Sequence, residues 1–411
     1  MRLPAFASRN FTLNFLDGVL FSGGAGFFSH AGVLPLFVAT LTDARWPIGL
    51  VTPVLLLGLA LPQLLGAAFA ARHPDFWRAV RLTALMPRLW LLALVAVPFV
   101  PQPWALPAFF AVWLGYALSL GFCMPSWLTF IAQVIPPGDR GKFFGGRTAV
   151  GAVAAVVGTG AASAVLAGWP GRMGFVLCFA VATVLLFASL GSFLLTRHDW
   201  RHFHANRPAG EGSFWRDAIA VVRAHRSFRI YLLARVCMTA SVAATGYYAI
   251  HGVETFHLTT AQGSLLALAI VFGPNMTAAL WGTLADRFGN RWVQVPVIAA
   301  AAAANVVLAL TPSLSVFVAC LFVAGMVSMI NNLFDNKWMM ELDEARCGTL
   351  LGVLNLALTP WLFVVPLAGG MLAEWVGIPA VFVATSVALV LGALVLALLM
   401  PAPRTLEAQE A

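Results

Sequence analysis

The sequence predicts an all-α integral membrane protein with twelve transmembrane helices in two pseudo-symmetric six-helix bundles. Three observations predict it. The 411 residues are 61% hydrophobic and only 10% charged, where a soluble domain carries roughly 25% charged residues. Apolar runs recur along the whole chain at the length, about 20 residues, that a bilayer crossing needs. Polar landmarks of the first half also return at equivalent places in the second half.

The twelve expected crossings lie near 11–38, 48–71, 80–100, 104–134, 144–168, 173–196, 229–255, 261–285, 292–311, 313–340, 348–373 and 377–400. Pro53, Pro62, Pro125, Pro274, Pro360 and Pro366 fall inside them. Membrane helices tolerate proline where neighbours satisfy the freed backbone groups. The implied organisation is a first half at 1–196, a linker at 197–228, a second half at 229–400 and a tail at 401–411. Within the linker, Ser213 to Arg226 reads as a candidate amphipathic run, capped by Ser213, with Phe214, Ile219 and Val222 toward a membrane surface.

Basic residues orient the chain. All but five of the 24 Lys and Arg fall in loops and helix ends that alternate onto one side. Arg45 and Arg172 are on the other side, and Arg88, Arg235 and Lys337 lie inside helices. Positive residues collect in the cytoplasm, so both termini are expected inside, in a plasma membrane such as the bacterial inner membrane. The net charge of +8 is therefore topological and implies no nucleic-acid partner. The five cysteines sit in or beside apolar segments without disulfide or metal spacing. The first apolar run is too long for a cleavable signal.

Polar residues inside apolar helices are expensive and mark candidate sites. In order, the first helix carries Asn10, Asn14 and Asp17 on one arc, with Phe21, Gly24 and Phe28. Asp17 reads as a proton, cation or cationic-group site, or as a structural carboxylate. Arg88 in the third helix continues a stripe with Arg81 and Leu85, which reads as snorkelling. Ser126, Trp127, Thr129 and Gln133 line the fourth helix. Trp127 reads as packing or as a surface on which a solute stacks.

The seventh helix carries Tyr231 and Arg235 on one stripe. The tenth is the most polar, with Asn331, Asn332, Asp335 and Asn336 on an arc of about 140°. That arc reads as a solute-binding face or as helix–helix glue. Lys337 points away from it and can reach Glu341 one turn on. His30 and His251 are candidate proton relays. His198, His202 and His204 in the linker do not make a metal site by spacing alone.

The loop Gly282-Thr-Leu-Ala-Asp286-Arg287-Phe-Gly289-Asn-Arg291 reverses the chain between the eighth and ninth helices. Gly282 leaves room for a neighbouring helix, and Gly289 can take the positive φ of a tight turn. With Asp286, Arg287 and Arg291, the stretch resembles the loop motif of the major facilitator superfamily, and departs from it at Asn290, where a basic residue is usual. A degenerate copy, Gly66 to Arg72, follows the second helix and has Ala70 in place of the acid. Asn10-Phe11 matches Ser227-Phe228, and Pro137 to Gly141 resembles Glu344 to Gly348.

The resemblance implies a secondary transporter of a small-molecule solute in the lipid bilayer, working as a monomer by rocking two halves about a central site. Protons are the candidate coupling ion. It also implies that the first and seventh helices face one cavity, which suggests an Asp17–Arg235 pair, or an anion contact beside a proton site. Intramembrane Arg and Lys beside two Asp suit an anionic or zwitterionic solute. No phosphate-binding loop is present, so ATP use is not expected, and no cofactor or metal is implied. A drug or metabolite efflux antiporter is the alternative within the fold, although the Gly-Pro pair of many drug antiporters is missing from the fifth helix. A membrane-embedded transferase would need larger outer loops, and a non-transporting receptor is not excluded by any residue.

Overall fold

The computed structural model describes residues 7–401 apart from 64, 67–68, 70–74, 136–139, 198–224, 273, 275–276 and 343–346. The side chains of Asp286, Asn332 and Asn336 also lie outside the described set, as do the expected amphipathic run and most of the linker.

Among the described residues the chain is helical throughout. The first half contains α1 (Ala7–Gly26), α2 (Val33–Ala39), α3 (Trp46–Gly49), α4 (Val51–Ala60), α5 (Phe76–Ala96), α6 (Ala105–Val134), α7 (Arg140–Gly168) and α8 (Arg172–Leu194). The second contains α9 (Arg226–Met238), α10 (Ala240–Thr245), α11 (Tyr248–Phe256), α12 (Thr260–Ala267), α13 (Ala278–Phe288), α14 (Asn290–Leu310), α15 (Leu314–Leu342), α16 (Cys347–Leu358), α17 (Trp361–Trp375) and α18 (Ile378–Leu399). Nine helices among the described residues are long and apolar enough to cross a membrane, with Trp46–Ala60 and Thr260–Val271 as shorter apolar helices.

Several expected crossings are interrupted. The first divides at Phe27–Gly32 between α1 and α2, and the seventh divides at Thr239 and again at Gly246–Tyr247. In the eighth, a π-turn over Leu268–Phe272 follows α12. Pro274 gives a reason, since its ring clashes with the carbonyl four residues earlier and it has no N–H to donate. Widening the preceding turn accommodates both. Pro87, Pro125, Pro296 and Pro366 stay inside continuous helices.

The chain forms two compact units. Unit 1 holds Met1–Asp43, Val54–Pro208 and Thr259–Leu265, and unit 2 holds Ala44–Pro53, Ala209–Leu258 and Leu266–Ala411. The short segments Ala44–Pro53 and Thr259–Leu265 therefore each pack with the unit formed mainly by the other half.

In unit 1, α1 packs closely on α7 through glycines. A Cβ added at Gly26 would lie 2.6 Å from the Thr159 nitrogen and 2.7 Å from the Ala155 carbonyl oxygen. A Cβ at Gly158 would collide with the Gly23 carbonyl. An aromatic cluster of Phe130, Phe143 and Phe193, joined by Trp77, closes one end.

In unit 2 the core runs through Tyr231, Met238, Ile298, Val327, Ile330, Phe334, Trp338 and Leu354, all buried. Outward faces of both units carry large apolar residues, among them Val157 at 65%, Leu310 at 76% and Leu398 at 75% exposure. Side chains of this kind are stable in hydrocarbon and not in water.

Candidate functional site

Each unit buries a charged cluster of its own. In unit 2, Tyr231 and Arg235 sit one turn apart on α9 and so share a face. Both reach Asp335 on α15. Arg235 Nε donates to Asp335 Oδ1 at 2.7 Å, and Nη2 donates to Oδ2 at 3.0 Å. The Tyr231 hydroxyl donates to Oδ1 at 2.8 Å. One turn further along α15, Trp338 donates its indole N–H to Gln294 of α14 at 2.9 Å. Its ring lies 5.7 Å from that of Tyr231. Two buried polar atoms here have no partner among the described residues, Asn331 Oδ1 and Gln294 Nε2.

In unit 1, Asp17 of α1 is 4% exposed and meets three helices. Ser189 of α8 donates to Oδ1 at 2.6 Å, and Arg147 Nη2 of α7 donates to Oδ2 at 3.2 Å. Arg88 Nη2 of α5 lies 3.9 Å from Oδ1. Arg88 also donates to the Ala84 carbonyl at 2.7 Å and to Ser189 at 3.3 Å. Its guanidinium stands over Phe21. Arg147 lies over the Trp127 ring, 4.6 Å from its centroid. Gly18 makes this possible, because the Arg147 side chain crosses the space that a Cβ there would fill.

These pairings differ from the expected ones. Asp17 and Arg235 do not need each other, since each has counter-charge within its own unit. Asp335 is not surrounded only by amides, because a guanidinium from α9 holds both its oxygens. Arg88 does not snorkel but turns inward, with a side chain 7% exposed. The Lys337 charge does act on Glu341, as expected, while its ammonium donates to the Gly282 carbonyl at 3.1 Å and Glu341 accepts from Asn290 at 2.5 Å.

Asn14 is fully buried and donates to Thr196 at 3.1 Å and to the Asn10 carbonyl at 2.9 Å. Asn10 in turn brackets the backbone of Arg197. These two asparagines fasten the end of α8 to α1. By sequence Arg147 counts among the basic residues of the cytoplasmic side, close to a loop, yet it belongs to the cluster around Asp17. Its position inside an apolar helix, well past Arg140 and Lys142, was the available signal.

At the loop motif, Gly289 has φ +89°, a conformation glycine adopts without strain. Arg291 donates to the carbonyls of Met400 at 2.8 Å and of Ala397, and so ties the loop to the end of α18. Arg287 stands over Phe288. Gly282 corrects an expectation, since a Cβ there would meet nothing within 4 Å. Among the described residues no helix presses on it, and its carbonyl serves instead as the acceptor for Lys337. His251 is buried between Phe317 and Phe382, with Thr255 near its ring nitrogens. No group of three potential metal ligands occurs among the described residues.

The family model described as Major Facilitator Superfamily matches residues 16–357 and 231–411. The chain belongs to the major facilitator superfamily. It is a multi-pass membrane transporter rather than an enzyme. No curated protein matches the sequence. Among solved structures, a mutant form of the nucleoside transporter NupG aligns with a TM-score of 0.75 at 15% identity, over 95% of this chain and 99% of that one. A D-xylose-proton symporter aligns with a TM-score of 0.70 at 15% identity, over 97% and 99%. A bacterial homologue of the iron transporter ferroportin aligns with a TM-score of 0.68 at 15% identity, over 95% and 98%. At these identities the likeness concerns the fold, which this superfamily uses for many solutes.

Proposed function

We propose that this superfamily member is a secondary transporter that moves a small organic solute by alternating access, coupled to protons. The observation that carries the reading is the pair of buried charge clusters, Asp17–Arg147–Arg88 in one unit and Arg235–Asp335–Tyr231 in the other. Buried ion pairs contribute little to stability compared with apolar packing. Inside membrane helices they mark ion and solute pathways. Solute contact or coupling is assigned to Asp17, Arg147, Tyr231, Arg235, Asn331 and Asp335, with Asn332 and Asn336 on the same arc of the tenth crossing.

Coupling follows from the Arg235–Asp335 pair. In the state described, Asp335 accepts three hydrogen bonds, two of them from Arg235. In our reading, coupling works through the breaking and remaking of this pair. The loop Gly282–Arg291, with Asp286, Arg287 and Gly289, acts as the cytoplasmic latch. Both termini lie in the cytoplasm of the inner membrane.

The test is reconstitution into liposomes loaded with a mixed metabolite and drug panel, read by mass spectrometry. The reading expects at least one compound to exchange faster than in protein-free vesicles, without ATP. Equal rates for every compound would remove it.

A further inference from the structure

We propose that the unit 1 cluster is an anion subsite, with Arg147 contacting the carboxylate or phosphate of a small organic anion and Trp127 backing the guanidinium. This inference rests on the transport reading and names its substrate class.

The first argument is charge. Two guanidiniums, Arg88 and Arg147, share the single carboxylate of Asp17. Among the described residues the cluster therefore carries one positive charge in excess. An uncompensated charge inside a membrane protein is unfavourable, and an anion entering beside it relieves that penalty. The unit 2 pair offers no such excess, since Arg235 and Asp335 neutralise each other.

The second argument is the unequal use of the two arginines. Arg88 donates three hydrogen bonds within the helix packing, to Ala84, Leu186 and Ser189. Arg147 makes one hydrogen bond among the described residues, at 3.2 Å to Asp17. A guanidinium has five N–H donors. The Nε of Arg147 is buried without a partner, while its side chain as a whole keeps 20% exposure, against 7% for Arg88. Arg147 therefore has donors that no described residue takes, and its planar fork matches the geometry of a carboxylate or phosphate.

The third argument is placement. Trp127 backs Arg147, whose guanidinium carbon stands over the indole ring 4.6 Å from its centroid. Asp17 is held in place by Ser189 at 2.6 Å. It can thus keep Arg147 aligned when the subsite is empty and yield the Nη2 donor when an anion arrives.

The test uses purified full-length protein and matched probe sets: small carboxylates and phosphates, their neutral amides and alcohols, and small amines. Thermal stabilisation in detergent and exchange in proteoliposomes are both read. We expect stabilisation and exchange by at least one anion, and not by its neutral partner. Arg147→Gln should weaken that binding tenfold or more, and Arg147→Lys should restore part of it. Asp17→Asn frees Arg147 from its competitor and should tighten anion binding several-fold, which guards against an Arg147→Gln protein that fails to fold. Exchange restricted to neutral or cationic probes, or anion binding unchanged in Arg147→Gln and Asp17→Asn, would overturn the anion assignment while leaving transport intact. No exchange by any probe of any charge would overturn both.

Discussion

Arg235 grips both carboxylate oxygens of Asp335, Nε on Oδ1 at 2.7 Å and Nη2 on Oδ2 at 3.0 Å, with Tyr231 adding a third bond. Asp335→Asn leaves a buried guanidinium without counter-charge, which costs about 3–5 kcal/mol when one partner of such a pair is removed. The double variant Arg235→Gln with Asp335→Asn removes both charges and should recover much of the loss. Denaturant unfolding of the four proteins in a double-mutant cycle reads the coupling directly. Additive losses would mean that the pair is not a unit.

The close approach of α1 and α7 gives a second expectation. Gly158→Ala drives a Cβ into the Gly23 carbonyl, and backbone cannot yield as a side chain tip can. Overpacking of this kind costs about 1–3 kcal/mol. Gly160→Ala on the same helix meets nothing within 4 Å and should be near neutral. A lower thermal midpoint for the first and not the second is expected. Equal midpoints would show that the helices can separate freely there.

The fold was legible where composition acts alone, and the pairing was not. Leucine, valine and alanine runs announce membrane helices whatever they pack against. Arg235 and Asp335 stood out because charges are costly in such runs. Their mutual contact depends on how α9 crosses α15, which no single-helix periodicity encodes. The same limit hid Arg147, whose closeness to the loop at Arg140 suggested a cytoplasmic end. Its contact with Asp17 depends on Gly18 admitting the side chain. The breaks at Thr239 and Gly246 carry no proline signal either.

The loop motif supplies a gating expectation. Lys337 donates to the Gly282 carbonyl at 3.1 Å and so tethers α15 to the loop. Lys337→Met removes the tether, and Asp286→Asn removes the carboxylate of the motif. Both should slow solute exchange severalfold at unchanged protein level and raise labelling of cytoplasmic-side cysteines. Unchanged exchange and labelling in both variants would show that the loop does not act as a latch.

Topology can be checked without a known solute. A single cysteine at Ala205 should react only with reagent supplied from the cytoplasmic side, and one at Thr42 only from outside. The expectation rests on the one-sided distribution of Lys and Arg. Labelling of both from outside would refute the orientation.

The central claim is coupled transport through the two buried clusters, and gradient-driven accumulation in proteoliposomes tests it most directly. The solute found by panel exchange is offered under an imposed pH gradient to wild type, Arg235→Ala, Asp335→Asn and Asp17→Asn. Wild type should accumulate it above equilibrium, and a protonophore should abolish the excess. Arg235→Ala and Asp335→Asn should lose accumulation, and Asp17→Asn should slow it by holding the solute. Accumulation at the wild-type level in all three variants, or none in wild type with or without the gradient, would contradict the account.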